Sequence, residues 1–240
     1  VAQIAYLEDE RIKISRGMVK GVVPVHKFGA VPAMSQSSSG TVWDKNDTIY
    51  PWSTWTGANT ITVSSSSASD VNASVVVVGL DANYDILEEE ITLTSQANNA
   101  SSNNFIRIHR AYMGFNGNTN IGTISIKNGA TDVALITAGF GQTLMAIYTI
   151  PRNYTGYLYQ GTASAQSGAD ATGNMFIRYD GTSAFRVGHT FEVAGSGGQY
   201  DYSFSFPPQI PQKSDIDVRI TTRSNNGRYT AAFDLLLVKN

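Results

Sequence analysis

The sequence predicts an all-β protein: an extended N-terminal arm over residues 1–55, then two antiparallel β-sandwiches, immunoglobulin-like over 56–140 and jelly-roll-like over 141–240. Three observations lead there. Val75 to Leu93 reads VVVVGLDANYDILEEEITL, two strand-like apolar runs around a turn of Gly, Asp and Asn, and the pattern recurs almost to the C-terminus. The apolar spacing from residue 56 onward has a period of two, and no segment needs a helix longer than a turn or two. The charged fraction is 15%, against about 25% in an average soluble protein, and Ser, Thr, Asn and Gly make up the difference. At 240 residues the chain has room for one large β-domain or two small ones with cores of their own, and two fit the pattern better.

The arm comes first. Asp9 to Ile14 fits a turn of helix, and Gly17, Gly21, Pro24, Gly29, Pro32 and Gly40 then interrupt anything longer. The arm nevertheless carries Val22, Val23, Val25, Phe28, Val31, Met34, Val42, Trp43, Tyr50, Trp52 and Trp55, and all three tryptophans of the chain fall between 43 and 55. Burying each such ring is worth roughly 2–3 kcal/mol, so the segment is expected to pack rather than trail in water. It either straps its own sandwich or reaches onto a neighbouring subunit, and Phe28, Trp43, Tyr50, Trp52 and Trp55 are its candidate interface residues.

In the first sandwich the expected strands are Ile61–Val63, Val75–Val78, Ile86–Leu93, Phe105–Met113, Ile121–Ile126 and Val133–Ile136. Between them SSSSASDVN, GLDANYD, SQANNASSNN, GFNGNTN and KNGATD read as turns or loops. About seven strands in roughly 85 residues is the count of a small immunoglobulin-like unit. In the second, strands are expected at Leu144–Ile150, Tyr157–Ala165, Gly173–Tyr179, Ser183–Val187, Thr190–Val193, Tyr200–Phe206, Ile216–Thr222 and Thr230–Val238. The proline-rich stretch Pro207-Pro208-Gln209-Ile210-Pro211 is a crossover, and the set suits a jelly roll.

Composition narrows the function classes. With 17 Lys and Arg against 19 Asp and Glu there is no basic field to displace counterions from a phosphate backbone, so free nucleic acid is not an expected partner. No apolar stretch approaches the ~20 residues of a membrane helix, and no export signal opens the chain. The absence of Cys removes disulfides and thiolate chemistry, leaving burial or assembly to supply stability. Asn46, Asn72, Asn99 and Asn153 match Asn-x-Ser/Thr about as often as an Asn- and Ser-rich chain does by chance.

Candidate chemistry is sparse. His26, His109 and His189 lie far apart in sequence, without metal-ligand spacing, and His109 in FIRIHRAYM takes one face of an ordinary strand. Asp81-Ala-Asn83-Tyr-Asp85 imitates the start of a calcium loop, but Ile86 stands where the turning glycine belongs and Thr92 where the closing glutamate belongs, so a hairpin turn is expected. Glu88, Glu89 and Glu90 read as edge-strand charges that discourage unwanted pairing. There is no G-x-S-x-G elbow; Gly195-Ser196-Gly197-Gly198 reads as a hairpin loop, and Ala138-Gly139-Phe140-Gly141 lacks the lysine of a phosphate loop. No enzyme, cofactor or metal site is expected. Tyr154, Tyr157, Tyr159, Tyr200 and Tyr202 could form an aromatic platform for a host glycan, although alternating tyrosines serve sheet faces and subunit interfaces first.

Two stretches resemble a known group. His26-Lys-Phe-Gly-Ala30, Thr41-Val-Trp-Asp44 and Ile49-Tyr-Pro-Trp52 are similar to the opening of uncharacterised virion structural proteins of tailed bacteriophages, including those of marine cyanobacterial phages. Val78-Gly-Leu-Asp-Ala-Asn83, Phe105-Ile-Arg-Ile-His-Arg-Ala-Tyr112 and Gly141-Gln-Thr-Leu-Met-Ala-Ile-Tyr-Thr-Ile-Pro151 resemble a succession in the same group, in the same order, and Ser214-Asp-Ile-Asp-Val-Arg219 is also similar. The resemblance implies a virion component and supplies no catalytic residues. On that footing the leading expectation is a capsid decoration or cement protein, bound to the major capsid protein as a homotrimer, with the C-terminal sandwich facing outward or self-associating. A tail, collar or fibre-base adaptor is the first alternative, and a free carbohydrate-binding module the second.

Overall fold

The computed structural model describes residues 10–114, 119–195 and 198–240. A short helix α1 (Glu10–Ser15) leads into β1 (Val22–Met34) and β2 (Ser39–Thr41). The next strands are β3 (Asn59–Ser65), β4 (Ser74–Leu80), β5 (Ile86–Thr92), β6 (Asn99–Phe105), β7 (Arg107–Met113), β8 (Ile124–Asn128) and β9 (Thr131–Ile136). Then come β10 (Ile147–Thr149), β11 (Tyr154–Ala165), β12 (Ala171–Arg178) and β13 (Arg186–Val193). The chain closes with β14 (Gln199–Ser203), β15 (Gln209–Ile210), β16 (Asp215–Thr222) and β17 (Gly227–Lys239). The all-β class expected from the period-two pattern is therefore the class observed.

The first double layer sets the four-stranded sheet β6-β3-β8-β9 against the three-stranded sheet β5-β4-β7. Ile61, Val63, Ile124 and Ile126 from one sheet meet Val75, Val77, Ile91, Ile108 and Ala111 from the other in a shared core. β4 lies between β5 and β7 and is buried along almost its whole length, which is why its sequence is a continuous valine run rather than an alternation. β5 is the edge and carries the three glutamates. At the β4–β5 hairpin the Asp81 carboxylate accepts from the backbone N–H of Asn83 (2.8 Å) and Asp85 (2.9 Å), the turn-forming role its position predicted.

The second layer pairs the path β1-β17-β11-β14, with β15 beside β11, against β10-β16-β12-β13, with β2 beside β16. The connections β11 to β12 and β16 to β17 each cross from one sheet to the other. Leu158, Ala163, Phe233 and Leu235 pack against Met175, Ile177, Val218 and Ile220 between them.

Several boundaries differ from the sequence reading. From Val22 onward the segment expected as an arm is built into the fold: β1 pairs antiparallel with β17 from Val22↔Val238 to Met34↔Gly227. Pro24 and Pro32 are tolerated because β1 is the outer strand of its sheet. Gly29 is required by close approach, since a Cβ there would stand 2.2 Å from the Val42 carbonyl oxygen and 2.5 Å from the Ala146 nitrogen. β6 forms from the NASSNN stretch expected as a loop. As an edge strand it needs only Ser101 and Phe105 inside, so its polar sequence carries no hydrophobic alternation to read. Ser183–Val187 and Thr190–Val193, expected as two strands, give one strand, β13, with a bulge opposite Met175 and Phe176. Asp9, part of loop 114–120 and the Ser196-Gly197 pair lie outside the described residues.

Candidate interaction surfaces

The aromatic residues of the N-terminal segment are satisfied within the chain. Trp43 is 1% exposed and joins Tyr50, Trp52 and Trp55 in the core of the first sandwich, with Trp43–Tyr50 and Tyr50–Trp52 ring centroids 5.3 and 4.7 Å apart in edge-to-face contact. Each indole N–H has a partner: Trp43 donates to the Thr48 carbonyl (3.0 Å), Trp52 to Asp217 Oδ2 (2.8 Å) and Trp55 to the Tyr50 hydroxyl (3.3 Å). Burial also pushes the Tyr50 phenol pKa upward. These four rings are packed inside their own chain, in the core of the first sandwich, and present almost no surface to a neighbour. Phe28 differs: on β1 it is half-buried and faces outward, opposite Ala232.

The Trp52 bond leads into a buried ionic junction between the sandwiches. Asp215 of β16 accepts from Arg107 Nε (2.8 Å) and Nη2 (3.2 Å) across the junction, from Arg178 Nε (2.8 Å), and from the Thr149 hydroxyl (2.6 Å). Two residues on, Asp217 accepts from the hydroxyl of Thr41 and the indole of Trp52, both at 2.8 Å, and from Arg219 Nε at 2.8 Å. Burial raises the Asp217 carboxyl pKa, and the positive charge of Arg219 together with these bonds opposes the shift. Nearby, Lys27 reaches from β1 to the carbonyl of His109 on β7, and burial with the charge of Arg110 lowers its pKa to about 7. The His109 ring lies 4.1 Å from the Tyr148 ring, and burial holds its pKa well below the ordinary value.

None of the junction carboxylates and arginines was singled out from sequence. The signal was present in DIDVRI: acids at 215 and 217 alternate with Ile216 and Val218 in a strand buried on both faces, so one carboxyl row had to point inward toward cations. The paired geometry makes the cluster a fastener. Its charges are engaged by one another, and such a pair fixes position more than it adds net stability.

The tyrosines separate into two places. Tyr200 and Tyr202 belong to β14, whose far side is unpaired among the described residues, and they face β13, which likewise ends its own sheet there. Their rings lie parallel with centroids 6.3 Å apart; Tyr202 meets Phe204 edge-on at 4.8 Å, and His189 Nε2 sits 2.5 Å from the Tyr200 hydroxyl. Burial among these rings lowers the His189 pKa. Tyr202 is 45% exposed and Phe206, which follows β14, 91% exposed, an aromatic rim at the open side of the second sandwich. Tyr154, Tyr157 and Tyr159 are half-buried on β11. Tyr159 lines a groove of ≈ 600 Å³ between α1 and the outer face of the β1-β17-β11 sheet. Among the described residues no three His, Asp or Glu side chains group as metal ligands.

Searches with the sequence match no protein-family model and no curated protein. Solved structures similar to the chain come from virus particles. One is a chain of the cowpea mosaic virus top component, naturally occurring empty particles, with 6% identity over 74% of this chain and 80% of that one, at a TM-score of 0.24. Two more are from infectious bursal disease virus: the Gt strain, 12% identical over 91% and 72% (TM-score 0.20), and the VP2 subviral particle, 10% identical over 92% and 73% (TM-score 0.22). At these scores the likeness is loose and carries no statement about this chain.

Proposed function

We propose that the chain is a non-enzymatic structural component of a bacteriophage virion, and specifically a decoration or cement protein that binds the capsid shell and associates with copies of itself, as a homotrimer. The observation that supports this most is the pair of exposed aromatic rings Tyr202, on β14, and Phe206, just after it, where β13 and β14 leave two sheet edges unpaired among the described residues. Exposed aromatic side chains beside open edges are what a protein partner covers, by apolar burial and by added strand pairing. The rest of the molecule suits the role: two double-layer units held by a buried junction, and a weakly charged surface that needs no cysteine. The sequence resemblance to phage virion proteins points the same way. The proposed partners are the major capsid protein or other virion proteins and further copies of the chain, with no nucleic acid or membrane among them.

The test is to locate the labelled protein on purified particles and count its copies. Density on the shell at a copy number within a small factor of the major shell protein is the expected result. A few dozen copies confined to a tail, collar or fibre base would replace the decoration reading with the adaptor reading, and absence from particles would remove both.

A further inference from the structure

The groove beneath α1 sets a cluster of polar side chains beside an apolar floor. His26 Nδ1 contacts Asp234 Oδ1, and the other oxygen of Asp234 accepts from Gln160 Nε2 at 2.6 Å. A carboxylate can only accept, so His26 Nδ1 is the donor to Asp234. Gln160 spends its amide N–H on Asp234, which leaves its carbonyl oxygen for another partner. At the mouth, Glu10 holds Lys13 through one oxygen at 2.7 Å and has a second oxygen remaining. The floor is apolar, with Pro24, Leu236 and the ring of Tyr159, over which the Arg11 guanidinium lies at 5.7 Å.

We infer that this groove is a saccharide-binding site. Its volume, ≈ 600 Å³, falls within the roughly 300–1,000 Å³ of small-molecule sites. The Gln160 carbonyl and the Glu10 carboxylate offer acceptors and the Arg11 guanidinium offers donors, a mixture suited to hydroxyl groups, which do both, and an aromatic and proline floor calls for the same ligand to have an apolar face. A sugar ring has both. A purely apolar ligand would cover the Gln160 carbonyl without supplying it a donor. The site lies on the outer face of the β1-β17-β11 sheet and involves neither Tyr200 nor Tyr202 of the rim, so it stands or falls independently of the virion reading.

The test uses the full chain on an array of hexose and N-acetylhexosamine mono- to tetrasaccharides, followed by calorimetric titration with the best binder. At least one saccharide should bind, with affinity falling at least tenfold in Tyr159→Ala and in Gln160→Ala while the melting temperature of Gln160→Ala stays within about a degree, as expected of an exposed-face change. Tyr202→Ala should bind as the unaltered chain does. Binding to no saccharide on the array would overturn the inference. So would binding that survives both groove substitutions, or that is lost equally in Tyr202→Ala. An oligomer that the groove substitutions dissolve would show the face to be covered by a second copy, and would overturn it too.

Discussion

Arg107 on the first sandwich grips Asp215 on the second through two parallel hydrogen bonds, Nε at 2.8 Å and Nη2 at 3.2 Å, with both side chains almost wholly out of water. A forked guanidinium–carboxylate pair permits one relative orientation, so it sets how the two units sit. Breaking one partner of such a pair leaves a buried charge uncompensated. Asp215→Ala and Arg107→Ala should each cost about 3–5 kcal/mol in urea unfolding. The aspartate change should be the worse of the two, because Arg178 and Thr149 lose their acceptor as well.

Asp44 should make stability fall as pH rises through neutrality. Burial raises its carboxyl from 3.8 to about 7, against the opposing bonds from the Leu144 N–H (2.7 Å) and the Thr137 hydroxyl (3.2 Å). Between those values the folded chain holds a proton that the unfolded chain has lost, so this contribution is complete below about pH 4 and is lost through about 7. Melting curves of Asp44→Asn should lack that decline.

Lys27 acts in the opposite window. Its folded value of about 7 lies below the ordinary 10.5, so its contribution is present above 10.5 and is lost as pH falls toward 7. Lys27→Met should flatten the stability profile between those limits; an unchanged slope would show that another group titrates there.

Gly29→Ala should destabilise by about 1–3 kcal/mol through overpacking, because the added methyl meets backbone atoms of Val42 and Ala146 that have nowhere to move. Chemical denaturation reads this directly.

Removing residues 1–55 should abolish cooperative unfolding, since it strips β1 from the length of β17 and takes Trp43, Trp52 and Trp55 out of the first core. Removing only residues 1–21 should leave a folded chain. At the rim, Phe206→Ser should leave the melting temperature unchanged, because that ring is 91% exposed, and should weaken self-association measured by sedimentation.

What could be read locally follows from period and turn chemistry. The valine run of β4, the Asp81 turn and the glutamates of β5 are neighbours in sequence, and their roles need only the strand repeat and an acceptor two residues from an amide. β6 escaped notice because an edge strand with one residue in three inside has no alternation to display. The same limit hid the groove: His26, Gln160 and Asp234 meet only because β1 pairs with one side of β17 and β11 with the other.

The sequence by itself determined the all-β class, most strand positions, and the need to bury three indoles, because these depend on alternation, turn residues and transfer energy, all local quantities. Only the tertiary structure decided where those indoles go, that residues 22–34 complete a sheet with the last strand, and that Arg107 finds Asp215. Such choices are settled by pairing between segments in places more than two hundred residues apart, for which the linear pattern holds many equivalent partners and the packed core accepts one.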